Sequence, residues 1–250
     1  MNNIKNPKSF LPQLDGRALD FIKICAAIFM VTDHVNSIWL NSDSTGMYLI
    51  GRATFPLFCF AVAAAVLRAP ADRMPKYIGR LLIFALVAEP FSQLARDIGQ
   101  VNILFTLAAG ALFASLLPRL KSWQVYACYA GAILSMLLPS GLEYGLAGVV
   151  LPAAFLQALQ GKTSSYLILP LLLFSANLGG FAGLFATTAD VTAFAALVFA
   201  TALASTVIPI FIMEAGSYFP KNGRYLPKYF LHVFYPLQFF VLWLAKPFFL

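Results

Sequence analysis

An aspartate and a histidine stand side by side within an apolar stretch that is long enough to cross a bilayer. Asp33 and His34 lie near the far end of DFIKICAAIFMVTDHVNSIWL, residues 20–40. Ionisable side chains are costly in hydrocarbon, so we expect the pair to face a helix bundle's interior and to have a function. An imidazole can take a proton from an attacking group while a carboxylate orients it. The alternative is a buried pair that only holds helices together.

Other apolar segments are also interrupted by polar residues. These are Arg52 in GRATFPLF, Glu89 before Pro90, Asn102 and Thr106 in NILFTLAAG, and Glu143–Tyr144 before Gly145. An arginine can neutralise a carboxylate or bind an anionic ligand group as a planar fork. The structural alternatives are that Arg52 reaches interfacial water, that Glu89 is only the partner of Arg52, and that the amides and hydroxyls join helices.

The last apolar segment carries a further group of polar side chains. His232, Tyr235 and Gln238 lie in FLHVFYPLQ. Because this segment is expected to enter the membrane from the cytoplasm, the three side chains should lie closer to the cytoplasmic face than Asp33 and His34. His232 and Tyr235 could line a cytoplasmic entrance or belong to an aromatic belt.

Nine membrane-spanning helices are predicted to position these residues. The chain of 250 residues is 60% hydrophobic and 11% charged, whereas soluble domains have about 25% charged residues. Apolar runs that can cross about 30 Å of hydrocarbon recur throughout. The sequence therefore predicts an all-α integral membrane protein with one multi-pass domain, residues 1–250. The predicted spans are 19–40, 48–67, 77–95, 102–117, 122–138, 144–160, 165–184, 190–213 and 229–248. The seventh contains Pro170, Asn177 and Gly179–Gly180, so we expect a kink there.

The basic residues predict the orientation. With a cytoplasmic N-terminus, 14 of the 17 Lys and Arg residues lie in cytoplasmic segments, while Arg96 and Lys246 fall outside and Arg52 lies within the second span. This bias favours a cytoplasmic N-terminus and an outside C-terminus. The polar residues of the first six spans then share one depth in the outer half of the membrane. The first span lacks a cleavage-site pattern before it and is expected to act as its own insertion signal.

Several classes of function are not expected. The net charge of +7 comes from short basic loops, which set topology and touch anionic lipid, so nucleic-acid binding is not predicted. Two distant histidines and three dispersed cysteines, Cys25, Cys59 and Cys128, have no metal-ligand spacing. We expect free thiols and no metal. Neither a phosphate-binding glycine loop nor a Gly-x-Ser-x-Gly elbow is present.

In order, these motifs resemble the TraX family, integral-membrane proteins of conjugation systems that acetylate the N-terminus of mature pilin. The resemblance is carried by ALDFIKICAAIFMVTDHVNSIWL, GRATFPLFCFAVA, NILFTLAAG, EYGLAGVVLPAAF and FLHVFYPLQ, with Asn177–Leu178. Within the family, the chain is similar to TrbP-like members. The family is in turn similar to the multi-pass acyltransferase-three family, which uses acyl-CoA and has a histidine in its first helix.

The resemblance implies an inner-membrane enzyme that moves acetyl from acetyl-CoA, a co-substrate, to the N-terminal amine of a pilin subunit. It implies catalytic roles for His34 and Asp33, and substrate or cofactor binding by Arg52, Glu89, Asn102, Glu143, Tyr144 and Tyr235. In this hypothesis Asp33 orients His34, and Arg52 or Asn102 stabilises the oxyanion. The basic residues Arg73, Lys76, Arg80, Lys221, Arg224 and Lys228 either attract the phosphates of CoA or only signal topology. The family often has histidine where this chain has Gln238, so this residue is not expected to transfer a proton.

Two other classes of function remain open. A small transporter or channel would use the same polar residues to line a path and would form no covalent product. A non-catalytic pilin-assembly partner would bind pilin and tolerate the substitution His34→Ala. Both a linear and a cyclised pilin remain open as the acceptor.

Overall fold

The structure is a computed structural model that describes residues 11–96, 99–138, 140–178 and 191–248. These residues form an all-helical bundle without β-strands, apart from one isolated bridge between Val101 and Leu142. The helices are α1 (Gly16–Trp39), α2 (Thr45–Gly51), α3 (Thr54–Arg68), α4 (Met74–Arg96), α5 (Ile103–Leu116), α6 (Ser122–Leu134), α7 (Gly145–Leu159), α8 (Ser165–Leu178), α9 (Val191–Gly216) and α10 (Phe230–Ala245).

The second predicted span is broken into two helices. Residues 48–67 were expected to be continuous, but α2 ends at Gly51 and α3 begins at Thr54. Pro56 has no N–H to donate to the carbonyl of Arg52, four residues earlier, so the helical hydrogen-bond ladder is interrupted there. The break places Arg52 in a turn inside the bundle instead of on a helix face.

Helix α7 lies at the centre of the bundle. Nearly all of its residues from Ala147 to Leu159 are buried, and it packs against α3, α5, α6 and α8. Gly110 lets α5 approach α7 closely, because a Cβ atom there would lie 2.8 Å from Pro152 Cγ. Helix α1 packs against α2, α3 and α10, while α4 packs against α5 and α10. These contacts enclose the polar residues of α1, α4 and α10.

The described helices have the apolar character of a membrane protein. Three segments, 45–68, 71–96 and 192–216, are long and apolar enough to cross a bilayer. Helices α4 and α9 expose large apolar side chains, including Leu86 and Phe211, as expected when lipid is the solvent. A described helix coincides with each of the nine predicted spans. However, α5, α6, α7 and α10 have only 14, 13, 15 and 16 residues, shorter than the roughly 20 of a straight crossing.

The predicted spans also include residues beyond the ends of the described α-helices. Short 3-10 turns, 117–119, 135–137 and 246–248, continue α5, α6 and α10, which accounts for part of the difference in length. Residues 179–184 and 190, with Gly179–Gly180, lie outside the described residues. Pro170 lies inside α8.

Candidate functional site

Two loops bring the starts of α5 and α7 together. The Val101 N–H donates to the Gly141 carbonyl at 2.9 Å, and the Glu143 N–H donates to the Val101 carbonyl at 3.4 Å. The residues that follow in each of the two loops are therefore neighbours. Asn102, which caps α5 by accepting a hydrogen bond from a backbone N–H of its first turn, stands beside the loop that carries Glu143.

Tyr144 is held in a left-handed backbone conformation, with φ of 67°. Such a residue costs conformational energy and persists only where its surroundings determine it. Its ring stacks on Phe55 at 4.0 Å between centroids. The Thr106 hydroxyl donates to the Glu143 carbonyl at 2.7 Å, and a Cβ atom at Gly148 would lie 2.7 Å from the Tyr144 Cβ. This turn is therefore braced from three helices.

A first ion pair joins α1 to the break between α2 and α3. Arg52 Nη2 lies 2.9 Å from each carboxylate oxygen of Asp33, and the guanidinium carbon lies 4.6 Å from the centroid of the Tyr48 ring. Gly51 packs directly against the Asp33 side chain. Of the alternatives for Arg52, the structure shows pairing with Asp33.

Gly51→Ala is expected to lower the thermal stability of the purified protein. Alanine in a helix normally stabilises relative to glycine by about 0.5–1 kcal/mol, but a Cβ atom at Gly51 would collide with the carboxylate of Asp33. Gly46→Ala in the same helix is the control, since nothing lies within 4 Å of its added Cβ. Thermal unfolding of both variants should show a lower midpoint for Gly51→Ala alone. An equal or higher midpoint for that variant would contradict the close contact.

A second ion pair joins the end of α4 to the loop before α7. Arg96 Nη1 and Nη2 donate to the two Glu143 carboxylate oxygens at 2.9 and 3.1 Å, and Nη2 also donates to Ser92 Oγ at 2.8 Å. The guanidinium carbon lies 4.8 Å from the centroid of the Phe239 ring. The sequence placed Arg96 in an outside loop, but its side chain is buried in the bundle. The signal that could have indicated this is Ser92, one turn earlier on the same face.

Glu89 holds Asn102 and does not pair with Arg52. One Glu89 oxygen accepts from the Asn102 backbone N–H at 2.9 Å and from its Nδ2 at 2.7 Å, while the other accepts from Gln93 at 2.6 Å. Asn102 Nδ2 also donates to the Ala85 carbonyl at 2.9 Å. Both amide protons of this buried side chain are used, which leaves none for a ligand.

His34 lies between the two ion pairs. Its ring is buried against Phe239, with centroids 4.4 Å apart, and its electrostatic neighbours are Arg96, Gln238 and Arg52. Nδ1 is buried without a hydrogen-bond partner. Within the described ranges no hydrogen bond or ion pair joins His34 to Asp33. Successive helix residues point about 100° apart, and the Asp33 carboxylate turns to Arg52.

We define the polar cluster as the side chains that these contacts bring together from five parts of the chain. It consists of Asp33, His34, Arg52, Glu89, Arg96, Asn102, Glu143 and Tyr144. Tyr144 lies near both ion pairs, since its electrostatic neighbours include both arginines and both carboxylates. The cluster contains every predicted site residue of the first six spans, and Arg96 joins them.

Helix α10 is shifted along the bundle, relative to α1, from the position that the sequence indicated. Gln238 was expected nearer the cytoplasmic end than His34, but it lies beside the His34 ring. Farther along the same two helices, Trp39 Nε1 donates to the Leu242 carbonyl at 3.0 Å. Thus α1 and α10 run side by side with these residues at matching heights.

The reason for this level is a loop that folds against the start of α1. The buried Asp20 carboxylate accepts hydrogen bonds from the Tyr225 and Leu226 N–H groups at 3.0 and 3.1 Å, and Lys23 Nζ lies 3.1 Å from its other oxygen. Residues just before α10 are therefore level with Asp20. Hydropathy gives no sign of this clamp, because both partners on the loop are backbone N–H groups.

A cavity of about 390 Å³ leads from this loop into the bundle. We call it the basic cavity, because six cationic residues line it: Lys23, Arg68, Arg73, Arg80, Arg224 and Lys228. Four of these were predicted to meet phosphates, whereas the predicted Lys76 and Lys221 do not line it. The sequence did not predict Lys23 and Arg68 as cavity residues. Lys23 lies inside the first predicted span and Arg68 at the end of the second, where a basic residue indicates only topology. His232 and Tyr235 also line the cavity.

The deep end of the basic cavity is apolar and approaches the polar cluster. It is lined by Met30, Ile103 and Leu107. Met30 lies one helical turn before His34 on the same face. Tyr235, also in the lining, has Glu143 and Arg96 as electrostatic neighbours. The cavity thus runs from a cationic mouth to apolar residues, of which Met30 lies one helical turn from the buried His34.

Comparison with known proteins places the chain in a family. The family described as TraX protein matches residues 18–246. Protein TraX of Escherichia coli is 34% identical over 150 residues, 58% of this chain and 58% of that protein. Protein TraX of Escherichia coli strain K12 is 34% identical over 138 residues, 54% of this chain and 53% of that protein.

A third relative has a different name. It is the probable fimbrial assembly protein FimC, serogroup H1, of Dichelobacter nodosus, 32% identical over 117 residues that cover 39% of this chain and 47% of that protein. The matches therefore span about half of the length of these curated relatives. No solved structure matches the chain. With the family match extending over nearly all of its length, this membrane protein belongs to the TraX family.

Proposed function

We propose that this protein is a multi-pass acetyltransferase of the bacterial inner membrane, which transfers acetyl from acetyl-CoA to the N-terminal amine of a conjugative pilin subunit. The observation that carries the proposal is the basic cavity, whose apolar end approaches a buried histidine between two ion pairs. Family membership supports the activity, and the printed name of the Dichelobacter relative, a fimbrial assembly protein, supports a pilin as the partner.

The proposed orientation puts the mouth of the basic cavity in the cytoplasm. Nine spans with a cytoplasmic N-terminus follow from the distribution of Lys and Arg along the sequence. The cavity supports this orientation, because its cationic residues gather at one end of the bundle. Acetyl-CoA is a cytoplasmic molecule, whereas a pilin N-terminus released by signal cleavage lies outside. The polar cluster is placed where the two substrates can meet.

The lining of the basic cavity suits the chemistry of the donor. Arg73, Arg80 and Arg224 at the mouth would attract phosphate groups, as arginine forks do elsewhere. The apolar stretch with Leu107 suits the pantetheine arm. To react, the thioester would have to reach His34, and Met30 lies one helical turn before that residue. The acceptor would arrive from the opposite side, where Asp33 and Arg52 retain partial exposure.

In the proposed reaction His34 takes a proton from the acceptor amine as its nitrogen bonds to the thioester carbonyl carbon. The carbon–sulfur bond then breaks, and the CoA thiolate receives that proton from the imidazolium. The products are an N-acetylated chain and free CoA. Asp33 supports this chemistry through Arg52, because the carboxylate holds the guanidinium near the imidazole. Glu143 holds Arg96 in the same way.

The test is the intact mass of the cognate pilin from cells with and without this protein. We expect the mass of one acetyl group on the N-terminal residue only when the protein is present. In parallel, desulfo-CoA should bind the purified protein, and Arg80→Glu should weaken binding. An unchanged pilin mass, with acetyl-CoA available and the protein inserted, would contradict the proposal. Flux of a solute without a covalent product would instead support the transporter.

A further inference from the structure

Two polar side chains of α10 are buried, one beside His34 and the other beside the Ile103 backbone, and neither makes a well-formed hydrogen bond within the described chain. Tyr235 and Gln238 are three residues apart and share a helix face. Neither the Tyr235 hydroxyl nor either atom of the Gln238 amide makes a hydrogen bond of acceptable geometry to the described residues. A buried group left in this state destabilises the folded protein unless something else satisfies it. The two side chains are therefore candidates for hydrogen bonds to a bound substrate.

The surroundings of these two side chains point to the reacting atoms. Gln238 lies beside the His34 ring, and Tyr235 lines the basic cavity. Positive charge is close to these side chains, since Arg96 is an electrostatic neighbour of Tyr235 and also of His34. These are the properties of a site for developing negative charge in a place from which water is excluded.

Of the two donors that the sequence suggested for this role, Asn102 is fully engaged and Arg52 is partly engaged. Asn102 uses both amide protons on Glu89 and the Ala85 carbonyl. Arg52 uses Nη2 on Asp33 and Nε on the Tyr48 carbonyl. A preorganised donor must be aimed at the oxyanion without first breaking another contact, and Gln238 meets that condition.

We propose that Gln238 Nε2 and the Tyr235 hydroxyl form the oxyanion site of the acyl transfer. Resting on the proposed function, this assigns two catalytic residues to one face of α10. As the amine nitrogen bonds to the carbonyl carbon, the π electron pair moves to the carbonyl oxygen, and the two groups donate hydrogen bonds to that oxygen. The pair returns when the carbon–sulfur bond breaks, and the proton passes through His34 to the thiolate.

The test is the substitution Gln238→Leu in the full-length protein, with acetyl-CoA and the pilin as substrates. We expect kcat to fall by roughly 10²–10³-fold, as for loss of one oxyanion donor, with little change in the KM for acetyl-CoA. The thermal midpoint should stay the same or rise, because the variant removes an unpartnered buried amide. Gln238→His keeps an N–H donor and should recover much of the lost kcat. Tyr235→Phe should also lower kcat.

The control is Gln157→Leu in α7. Gln157 is as buried as Gln238 but accepts a hydrogen bond from the Tyr129 hydroxyl at 3.2 Å, and it lines a separate cavity. This variant should lose thermal stability and keep its kcat. The two leucine substitutions are thus expected to act in opposite ways on stability and turnover.

Failure of this inference can be told from failure of the proposed function. If the wild-type protein neither acetylates pilin nor binds desulfo-CoA, the proposed function itself is wrong. If the wild type is active and Gln238→Leu keeps its kcat, the oxyanion assignment is overturned. It is also overturned if Gln238→Leu lowers the thermal midpoint and abolishes desulfo-CoA binding together with turnover. That pattern would mean that Gln238 has a structural role.

Discussion

Replacing His34 with alanine is expected to remove pilin acetylation while the protein remains folded and inserted. A positioned general base contributes about 10²–10⁴-fold to a rate, and no other imidazole belongs to the polar cluster. The ring's buried Nδ1 has no hydrogen-bond partner, so the substitution breaks no bond to that atom. The measurement is the rate of acetyl transfer by mass spectrometry, with the amount of protein in the membrane fraction determined alongside.

The companion substitution is His232→Ala. His232 lines the basic cavity and contacts the Phe84 ring at 4.9 Å between centroids. We expect it to raise the KM for acetyl-CoA and to change kcat much less than His34→Ala does. If His34→Ala retained turnover, His34 would not be the base. The protein would then be better described as a non-catalytic partner in pilin assembly.

The sequence predicted what depends on local pattern. Long apolar runs predicted the helices, and adjacent ionisable residues in an apolar run predicted that Asp33 and His34 would lie inside the bundle. The grouping of Arg52, Glu89 and Glu143 followed from counting residues along spans whose direction was predicted from the basic loops. These inferences needed only helical rise and the energetic penalty for charge in hydrocarbon.

The sequence did not predict which side chains pair. Asp33 had the neighbouring His34, Arg52 and other partners available, and only the break after Gly51 decides for Arg52. The level of Gln238 depends on Asp20 binding two backbone N–H groups, which no side-chain pattern encodes. Arg96 was misplaced because an arginine at the end of a span resembles a topology signal. Each case is a tertiary contact between elements far apart in the chain.

Breaking the ion pair between Arg96 and Glu143 is expected to have the largest effect on stability. The two side chains are only 8% and 17% exposed, so Glu143→Gln leaves a guanidinium without its counter-charge in a place that water barely reaches. Removing one partner of a buried pair costs about 3–5 kcal/mol. The free energy of unfolding of the purified protein should fall by that order. Asp15→Asn is the matched control. Asp15 forms an ion pair with Arg68, and the two side chains are 61% and 36% exposed, respectively. Such exposed pairs contribute about 0–1 kcal/mol.

The double variant Arg96→Met with Glu143→Leu separates stability from function. Replacing both charges with apolar groups of similar volume is often neutral for stability, so the double variant should be more stable than Glu143→Gln. Acetyl transfer should remain low, because the positive charge of Arg96 beside His34 is lost. If stability and transfer both recovered, Arg96 would have no part in the chemistry. If Glu143→Gln were as mild as Asp15→Asn, the pair would not be a buried contact.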